Sequence, residues 1–402
     1  MTQPVRFGLI GAGGIGAYHR AAIEAQQSAG AAQLVAVADP WADRLASQKA
    51  ELEARGVRWY MDYREMLDLE TGLDAVVIAT PIPFHYDMAM ACIARGLMIH
   101  LEKPPVPMLS QFEELIAADS SQSISVGFQM IGARCTQLLK QAISEGRLGE
   151  VRHIRAAGCW PRLDNYYARA SWAGKMTLDG APVFDGPITN AFAHLVNNVM
   201  YFAAEDRDEF AIPEEIEGEL YRARPIESYD TAVLRGRFAS GIDFAVAVTH
   251  ATEALRPFSM DVLGTKGWAR LTEDGAKLES NIGLTCDCPQ TTQQLLDINY
   301  LNFIDVITGR SDRFTTRLAD TRGYVSATNA MLLSSGGIHD IDAAHARKYQ
   351  HDAETGYDVA GLSAAVEETF ATGRLFNEQG CPWASTKPRP IRLPLDHAIS
   401  LT

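Results

Sequence analysis

The 402-residue chain is short of the features that mark several large classes of protein. It has no apolar run long enough to cross a bilayer, so no membrane partner is expected. Its opening, MTQPVRFGLI, carries a single basic residue before a short apolar stretch that runs into a glycine turn. That pattern is read as a strand and not as a signal peptide. Cysteines at metal spacing are missing: Cys92, Cys135, Cys159, Cys286, Cys288 and Cys381 are scattered, and the lone C-x-C of Cys286 and Cys288 reads as loop. No metal site is expected, and the thiols suit a reducing cytoplasm. Lys/Arg clusters are lacking too, and a net charge of −14 argues against a nucleic-acid backbone as ligand. A small molecule remains.

What is present is a globular composition, 47% apolar and 21% charged, long enough for two domains. Strand-like segments at Val5 to Ile10, Leu34 to Ala38, Ala75 to Ala79, Leu97 to Leu101 and Ile124 to Phe128 alternate with helical patterns. This predicts a doubly wound parallel sheet with right-handed crossovers over residues 1–126. Beyond it, apolar and polar residues alternate at Glu219 to Ala223, Thr231 to Phe238 and Asp243 to Thr249, the signature of a half-buried antiparallel sheet. Helices are expected near Ala133 to Glu145, Thr189 to Ala204, Gln293 to Thr308 and Thr321 to Ser334. Residues 127–402 therefore read as an α+β domain with a large, mostly antiparallel sheet. From His339 onward, with Pro382, Pro388, Pro390 and Pro394, the chain reads as a wrapping extension.

The first strand runs directly into Gly11-Ala12-Gly13-Gly14-Ile15-Gly16, which opens a helix. In that context the glycines have separate tasks: Gly11 permits the turn, Gly13 lets the backbone approach a pyrophosphate, and Gly16 lets the helix lie close on the sheet. A plain glycine turn is the alternative. Asp39 closes the second strand 23 residues after Gly16, where a carboxylate accepts from the ribose hydroxyls of NAD. It also suits a cap for a helix starting near Trp41, and Arg44 keeps NADP in view.

At Glu102-Lys103-Pro104 the pattern becomes specific. This triplet, Thr80-Pro81 with His85, Asp62-Tyr63, Val126 to Gln129 and the GRLGEV of Gly146 to Val151 resemble the Gfo/Idh/MocA family of glucose-fructose oxidoreductases, inositol 2-dehydrogenases and rhizopine-catabolism proteins. The resemblance covers Val5 to His194, and more loosely the helix Asn329 to Ser335. It implies an N-terminal Rossmann domain binding NAD, or NADP, through Gly11, Gly13, Gly14, Ile15, Gly16, Asp39, Thr80, Pro81, His85, Glu102, Lys103 and Gln129. It further implies hydride transfer between that cofactor and a secondary hydroxyl of a sugar, polyol or sugar derivative. Lys103 would lie beside the reacting hydroxyl, where an ammonium steadies a developing alkoxide; a structural ion pair with Glu102 is its plainer role. Pro104 is a candidate for a cis peptide bond.

The resemblance also implies a helix-borne D-x-x-x-H whose histidine handles the proton. Here the stretch is Asn190-Ala191-Phe192-Ala193-His194, with asparagine in place of the carboxylate. Asn190, His194 and Asn197 would share a helix face. Asp185, before Gly186-Pro187, reads first as a helix cap and second as a source of the missing charge. Trp160 to Lys175 is rich in Tyr, Trp and Arg where the family places its substrate loop, which makes Tyr166, Tyr167, Arg169 and Trp172 substrate candidates; a packed loop or subunit contact is the alternative. A homo-dimer or homo-tetramer through the C-terminal sheet is expected, with Ala245, Ala247 and Val248 hinting at an apolar face. Two other functions stay open: a redox-neutral, NAD-dependent glycoside hydrolase or lyase, and a non-catalytic nucleotide-binding regulator.

Overall fold

Strand Val5–Ile10, apolar but for Arg6, forms the middle of a six-stranded parallel sheet in the computed structural model, which describes residues 3–395. The strands lie in the order Arg58–Tyr60, Ala32–Ala38, Val5–Ile10, Ala75–Ile78, Met98–Leu101 and Ile124–Val126. The inner strands are largely apolar because helices bury both faces; Ala75–Ile78 is apolar and buried at all four positions. Arg58–Tyr60, three polar or aromatic residues at the edge, carries no such signal and was not anticipated. Strand order reverses between Val5–Ile10 and Ala75–Ile78, a switch point of the kind that holds ligands at the carboxyl ends of strands. The glycine turn leaves the sheet there.

The chain divides into two units, and the first takes back a segment from far along the sequence: it comprises residues up to Val106, Gln111–Gly132 and Gln290–Thr321. Helix Thr292–Ile307, opened by a capping box of Thr291 and Gln294, buries Leu296, Tyr300, Phe303 and Ile304 in one core with Phe7, Leu9 and Ile23. The sequence reading places this helix in the C-terminal domain. Its apolar stripe at spacings of four, three and one instead completes the Rossmann core.

The second unit is built on a ten-stranded sheet whose central strand is Val151–Cys159. Asp243–Thr249 pairs with it in parallel and Arg256–Gly264 antiparallel; Thr231–Phe238 and Pro213–Arg222 continue one side, Trp268–Thr272 and Lys277–Ser280 the other. The strands expected at Thr231 to Phe238 and Asp243 to Thr249 form at those bounds. Val151–Cys159 shows no alternation in sequence because its last six residues are all buried. On the inner face Gly158 leaves room for the Phe192 ring and Gly218 for Met331 of helix Arg322–Ser335; an added Cβ would come within 2.4 and 2.6 Å of them.

The outer face has two halves. One end carries Ala157, Cys159, Tyr221, Val233 and Ala247, and the chain's own C-terminal segment covers them with Leu362, Ala365, Val366 and Phe370 of helix Leu362–Thr372, then Phe376 and Trp383. The other end carries Arg155, Glu217, Arg235 and Asp243, tied by ion pairs such as Arg155–Asp243 at 2.6 Å and Arg235–Glu217 at 2.8 Å. Burying a Leu, Val or Phe contributes about 1.5–3 kcal/mol each, so the tail is part of the fold's stability. The extension expected from His339 onward is thus a helix and a hairpin, Ala346–His351 with Glu354–Val359, packed on the sheet.

Candidate cofactor and substrate sites

In the first unit the glycines of the turn differ in what surrounds them. Gly11 has φ +88°, and a Cβ there would sit 2.6 Å from the Ala79 carbonyl oxygen; at Gly16 it would sit 2.0 Å from that of Gly11. Gly13 and Gly14 are different. Among the described residues a Cβ on Gly13 would find no atom nearer than 3.9 Å, and one on Gly14 none within 4 Å, although the φ of +54° at Gly14 still favours glycine. Helix Ile15–Ser28 begins without a side-chain cap; Gly16 N and Ala17 N bond back to the Gly13 and Gly14 carbonyls, and the start of the helix is left to a ligand such as a phosphate. Open space, an uncapped helix start and glycine spacing together fit a dinucleotide pyrophosphate.

Asp39 is buried and holds the turn in place: one carboxylate oxygen accepts from Ala12 N at 2.8 Å, the other from Trp41 N at 2.9 Å. Each oxygen keeps further acceptor capacity, which suits ribose hydroxyls and opposes a 2′-phosphate. The helix it was expected to cap begins only at Ala46, so Asp39 closes a turn instead. Arg44 stacks on exposed Trp41, its guanidinium carbon 4.3 Å from the ring centroid.

His85 braces two loops, with Nδ1 2.9 Å from the Pro104 carbonyl and Nε2 2.8 Å from that of Thr80. Burial lowers its pKa, so the neutral ring donates to one carbonyl at a time. Pro81 begins the turn between them. Glu102 is the hub of the triplet: Oε1 lies 3.0 Å from His19 Nε2, and Oε2 accepts from Lys103 N at 3.0 Å. Burial pushes its pKa up, but the hydrogen bond and charge of His19 and the charge of Lys103 outweigh it and hold the carboxyl at about 2. His19 Nδ1 in turn meets the Tyr300 hydroxyl at 2.9 Å. The helix after the glycine turn, the triplet and the returning helix are thereby linked through one carboxylate. Lys103 is half-buried and its peptide bond to Pro104 is cis. Gln129 is buried with no hydrogen-bond partner on its side-chain oxygen among the described residues.

In the second unit Asn190 and His194 do not lie on one regular helix. Pro187–Ala191 is a π-helical turn, Phe192 breaks it at φ −103°, and an α-helix runs Ala193–Ala203. The four-residue spacing therefore does not set a shared α-helical face; π-turns of this kind collect at functional sites. Asp185 is not the cap, since Gly186 occupies that position. Its buried carboxylate accepts from Gly174 N at 2.7 Å and from the Asn190 amide at 2.8 Å. The charge absent from position 190 thus stands one hydrogen bond away. His194 is half-buried in the first turn of the α-helix, and Asn197 is fully buried, its amide without a hydrogen-bond partner among the described residues.

The four substrate candidates gather on this unit. The Arg169 guanidinium carbon lies 3.6 Å from the Tyr166 centroid and 4.8 Å from that of Trp172, and Tyr166 meets Tyr167 edge-on at 5.1 Å. His250, Trp160 and Arg162 join them: His250 lies 5.7 Å from both the Tyr166 and Phe192 rings, and Trp160 lies 4.3 Å from Phe192. His250 went unremarked in the sequence. Its only signal is its place just past strand Asp243–Thr249, beside the ends of neighbouring strands.

Two family models match. Residues 5–128 match "Oxidoreductase family, NAD-binding Rossmann fold" and residues 136–270 match "GFO/IDH/MocA C-terminal domain". Together they span well over half the sequence, and the chain belongs to the Gfo/Idh/MocA family. Inositol 2-dehydrogenase of Streptomyces avermitilis is 33% identical over 152 residues, 37% of this chain and 43% of its own length. The rhizopine catabolism protein MocA of Rhizobium meliloti is 30% identical over 187 residues, 45% of this chain and 55% of its own. The chain thus spans about half the length of these curated relatives. Among solved structures, the WlbA dehydrogenase of Bordetella pertussis in complex with NADH and UDP-GlcNAcA aligns at a TM-score of 0.69 and 24% identity, covering 83% of this chain and 97% of that one. A levoglucosan dehydrogenase in complex with NADH aligns at 0.70 and 18%, with the same coverage. These likenesses establish the fold.

Proposed function

We propose that this chain is an NAD-dependent dehydrogenase acting on a secondary hydroxyl of a sugar, polyol or sugar derivative. The observation that carries the reading is the unfilled space over Gly13 and Gly14 at an uncapped helix start, with the Asp39 carboxylate fixed beside the same turn. Bound NAD supplies the hydride acceptor. Gly11 to Gly16 hold the pyrophosphate, Asp39 the adenosine ribose, and Thr80, Pro81, Glu102, Lys103 and Gln129 the nicotinamide end. Lys103 stabilises the oxygen as the hydroxyl loses its proton, and His194 receives that proton. Asp185 acts through Asn190, keeping its amide oriented. In this division residues 1–126 supply the cofactor domain and 127–402 the substrate domain, except that 127–132 and 290–321 belong with the first unit. A cytoplasmic location is proposed on the six free thiols. A homo-oligomer through the large sheet would have to use its charged end, because Ala247 lies under the chain's own tail.

The test is a panel of sugars and cyclitols with NAD, monitored by absorbance of the reduced cofactor. Lys103→Met and His194→Gln should each lower kcat/KM by roughly 10²–10⁴-fold while leaving NADH binding within a few-fold. Cleavage of a glycoside without accumulation of NADH would instead establish the redox-neutral chemistry.

A further inference from the structure

Three arginines converge on the aromatic loop of a chain whose net charge is −14. Arg224 is spoken for: it pairs with Asp164 and donates to the Arg162 carbonyl at 2.6 Å. Neither Arg162 nor Arg169 has a carboxylate within ion-pair distance among the described residues. Arg162 is held between aromatic faces, its guanidinium carbon 4.9 Å from the Tyr166 centroid and 5.5 Å from that of Trp160, and its Nε is buried without a hydrogen-bond partner among the described residues. Arg169 is stacked on Tyr166 and Trp172 and donates only to the Tyr166 carbonyl. The acids nearby are engaged: Asp185 by Gly174 and Asn190, and Asp230 by the backbone of Ala223 and Arg224.

The same cluster contains unmatched polar atoms of the opposite sense. His250 is 3% exposed, its Nδ1 lies 2.8 Å from the Trp160 carbonyl, and its Nε2 is buried with no partner among the described residues. Burial, together with Arg162, Arg169 and Arg224, lowers its pKa to about 3, so the ring is neutral; with Nδ1–H donated to Trp160, Nε2 is a bare acceptor. The Tyr167 hydroxyl is likewise buried without a partner. A hollow of about 490 Å³ is lined by Pro161, Arg162, Leu163, Asn165 and Tyr166, the ring that His250 meets at 5.7 Å. Buried polar groups left unmatched cost stability, and such sites are commonly matched by a ligand.

We infer that the substrate is a sugar acid, its carboxylate taken by Arg162 and Arg169 and a neighbouring hydroxyl donating to His250 Nε2. Stacked guanidinium groups present planar donors suited to a carboxylate, and the aromatic faces suit the ring's C–H surface. The inference rests on the dehydrogenase reading, whose site it narrows.

The experiment pairs each acid with its neutral counterpart: D-glucuronate with D-glucose, D-galacturonate with D-galactose, D-gluconate with D-sorbitol. Each is assayed for NADH formation and titrated by calorimetry against the NAD-loaded enzyme. The expected result is a preference of roughly 10–100-fold for at least one acid, levelled in Arg162→Gln and reduced in Arg169→Gln. Arginine-dependent binding of an acid with no NADH formed upholds the inference and sinks the dehydrogenase reading. Equal or better use of the neutral partner, a preference that survives both substitutions, or no binding of any acid overturns the inference.

Discussion

The two sheets of this protein solve the same burial problem differently. The six-stranded parallel sheet is covered on both faces, one of its covering helices returning from Thr292–Ile307. The ten-stranded sheet has helices on its inner face, and on its outer face the chain lays its own C-terminal segment over one half and leaves the other charged. Ridge positions on the outer face follow the same divide: Ala157, Ala247 and Val233 stand in one rung, Arg155 and Arg235 in the next, with Ala245 between them. The edge of the cover coincides with the change from apolar to charged. A parallel sheet needs helices in its connections, whereas an antiparallel one can leave a face to be covered from anywhere in the sequence.

The glycine turn offers the largest expected effect. Gly13→Val should abolish NADH binding, by at least about 100-fold in a fluorescence titration, while the melting temperature moves little, because no protein atom occupies that space. Gly16→Val meets Gly11 backbone and should lose the fold of the first unit as well. Equal loss of stability in both variants would break the distinction between glycines kept for packing and glycines kept for the ligand.

The tail comes next. Phe376→Ala should cost about 3–5 kcal/mol, close to the cost of truncating Phe303 in the Rossmann core, when read by denaturant unfolding. A loss below about 1 kcal/mol would mean that the tail only rests on the sheet.

A smaller effect is pH-dependent. Glu219 lies on the covered half, accepts from the Tyr221 hydroxyl at 2.7 Å and from Asn377 N at 3.2 Å, and has Glu378 and Arg235 near it. Burial raises its pKa from 4.5 to about 7. The folded state therefore binds a proton more tightly than the unfolded one, so the stabilisation is full below about 4.5 and is lost as pH rises through 7. Hydrogen exchange of residues 362–379, corrected for its intrinsic rise with pH, should quicken between about pH 5 and 7, and Glu219→Gln should flatten that dependence. The smallest change is expected from Asp185→Asn, which keeps the contact to Gly174 in reach but removes the charge from Asn190; kcat should fall about tenfold with a shifted pH profile and an unchanged NADH affinity.

The parts legible in sequence were those set by local physics. Gly11 to Gly16 follow from turn geometry, and strands Thr231–Phe238 and Asp243–Thr249 from alternation across a half-buried face. Val151–Cys159 was hidden because both its faces are covered, which removes the contrast that alternation depends on. The helix Thr292–Ile307 was visible as a helix but not as part of the Rossmann unit, since its stripe says that it is buried and not against what. Asp185 looked like a cap from its neighbours Gly186 and Pro187; only the fold brings Asn190 and Gly174 to its two oxygens. His250 and Arg162 depend on strand ends and loops meeting in three dimensions, which no spacing encodes.

The π-turn at Pro187–Ala191 makes the bearing of His194 a matter of counting. Phe192 N bonds back five residues to the Pro187 carbonyl at 2.7 Å, one residue more than an α-helix spans. Removing one residue from that turn would wind it to ordinary pitch and rotate the segment leading into helix Ala193–Ala203 by about 100° against the helix itself. Asn190 and its borrowed carboxylate would then face elsewhere although Asp185, Asn190 and His194 were all still present, a loss produced by register alone.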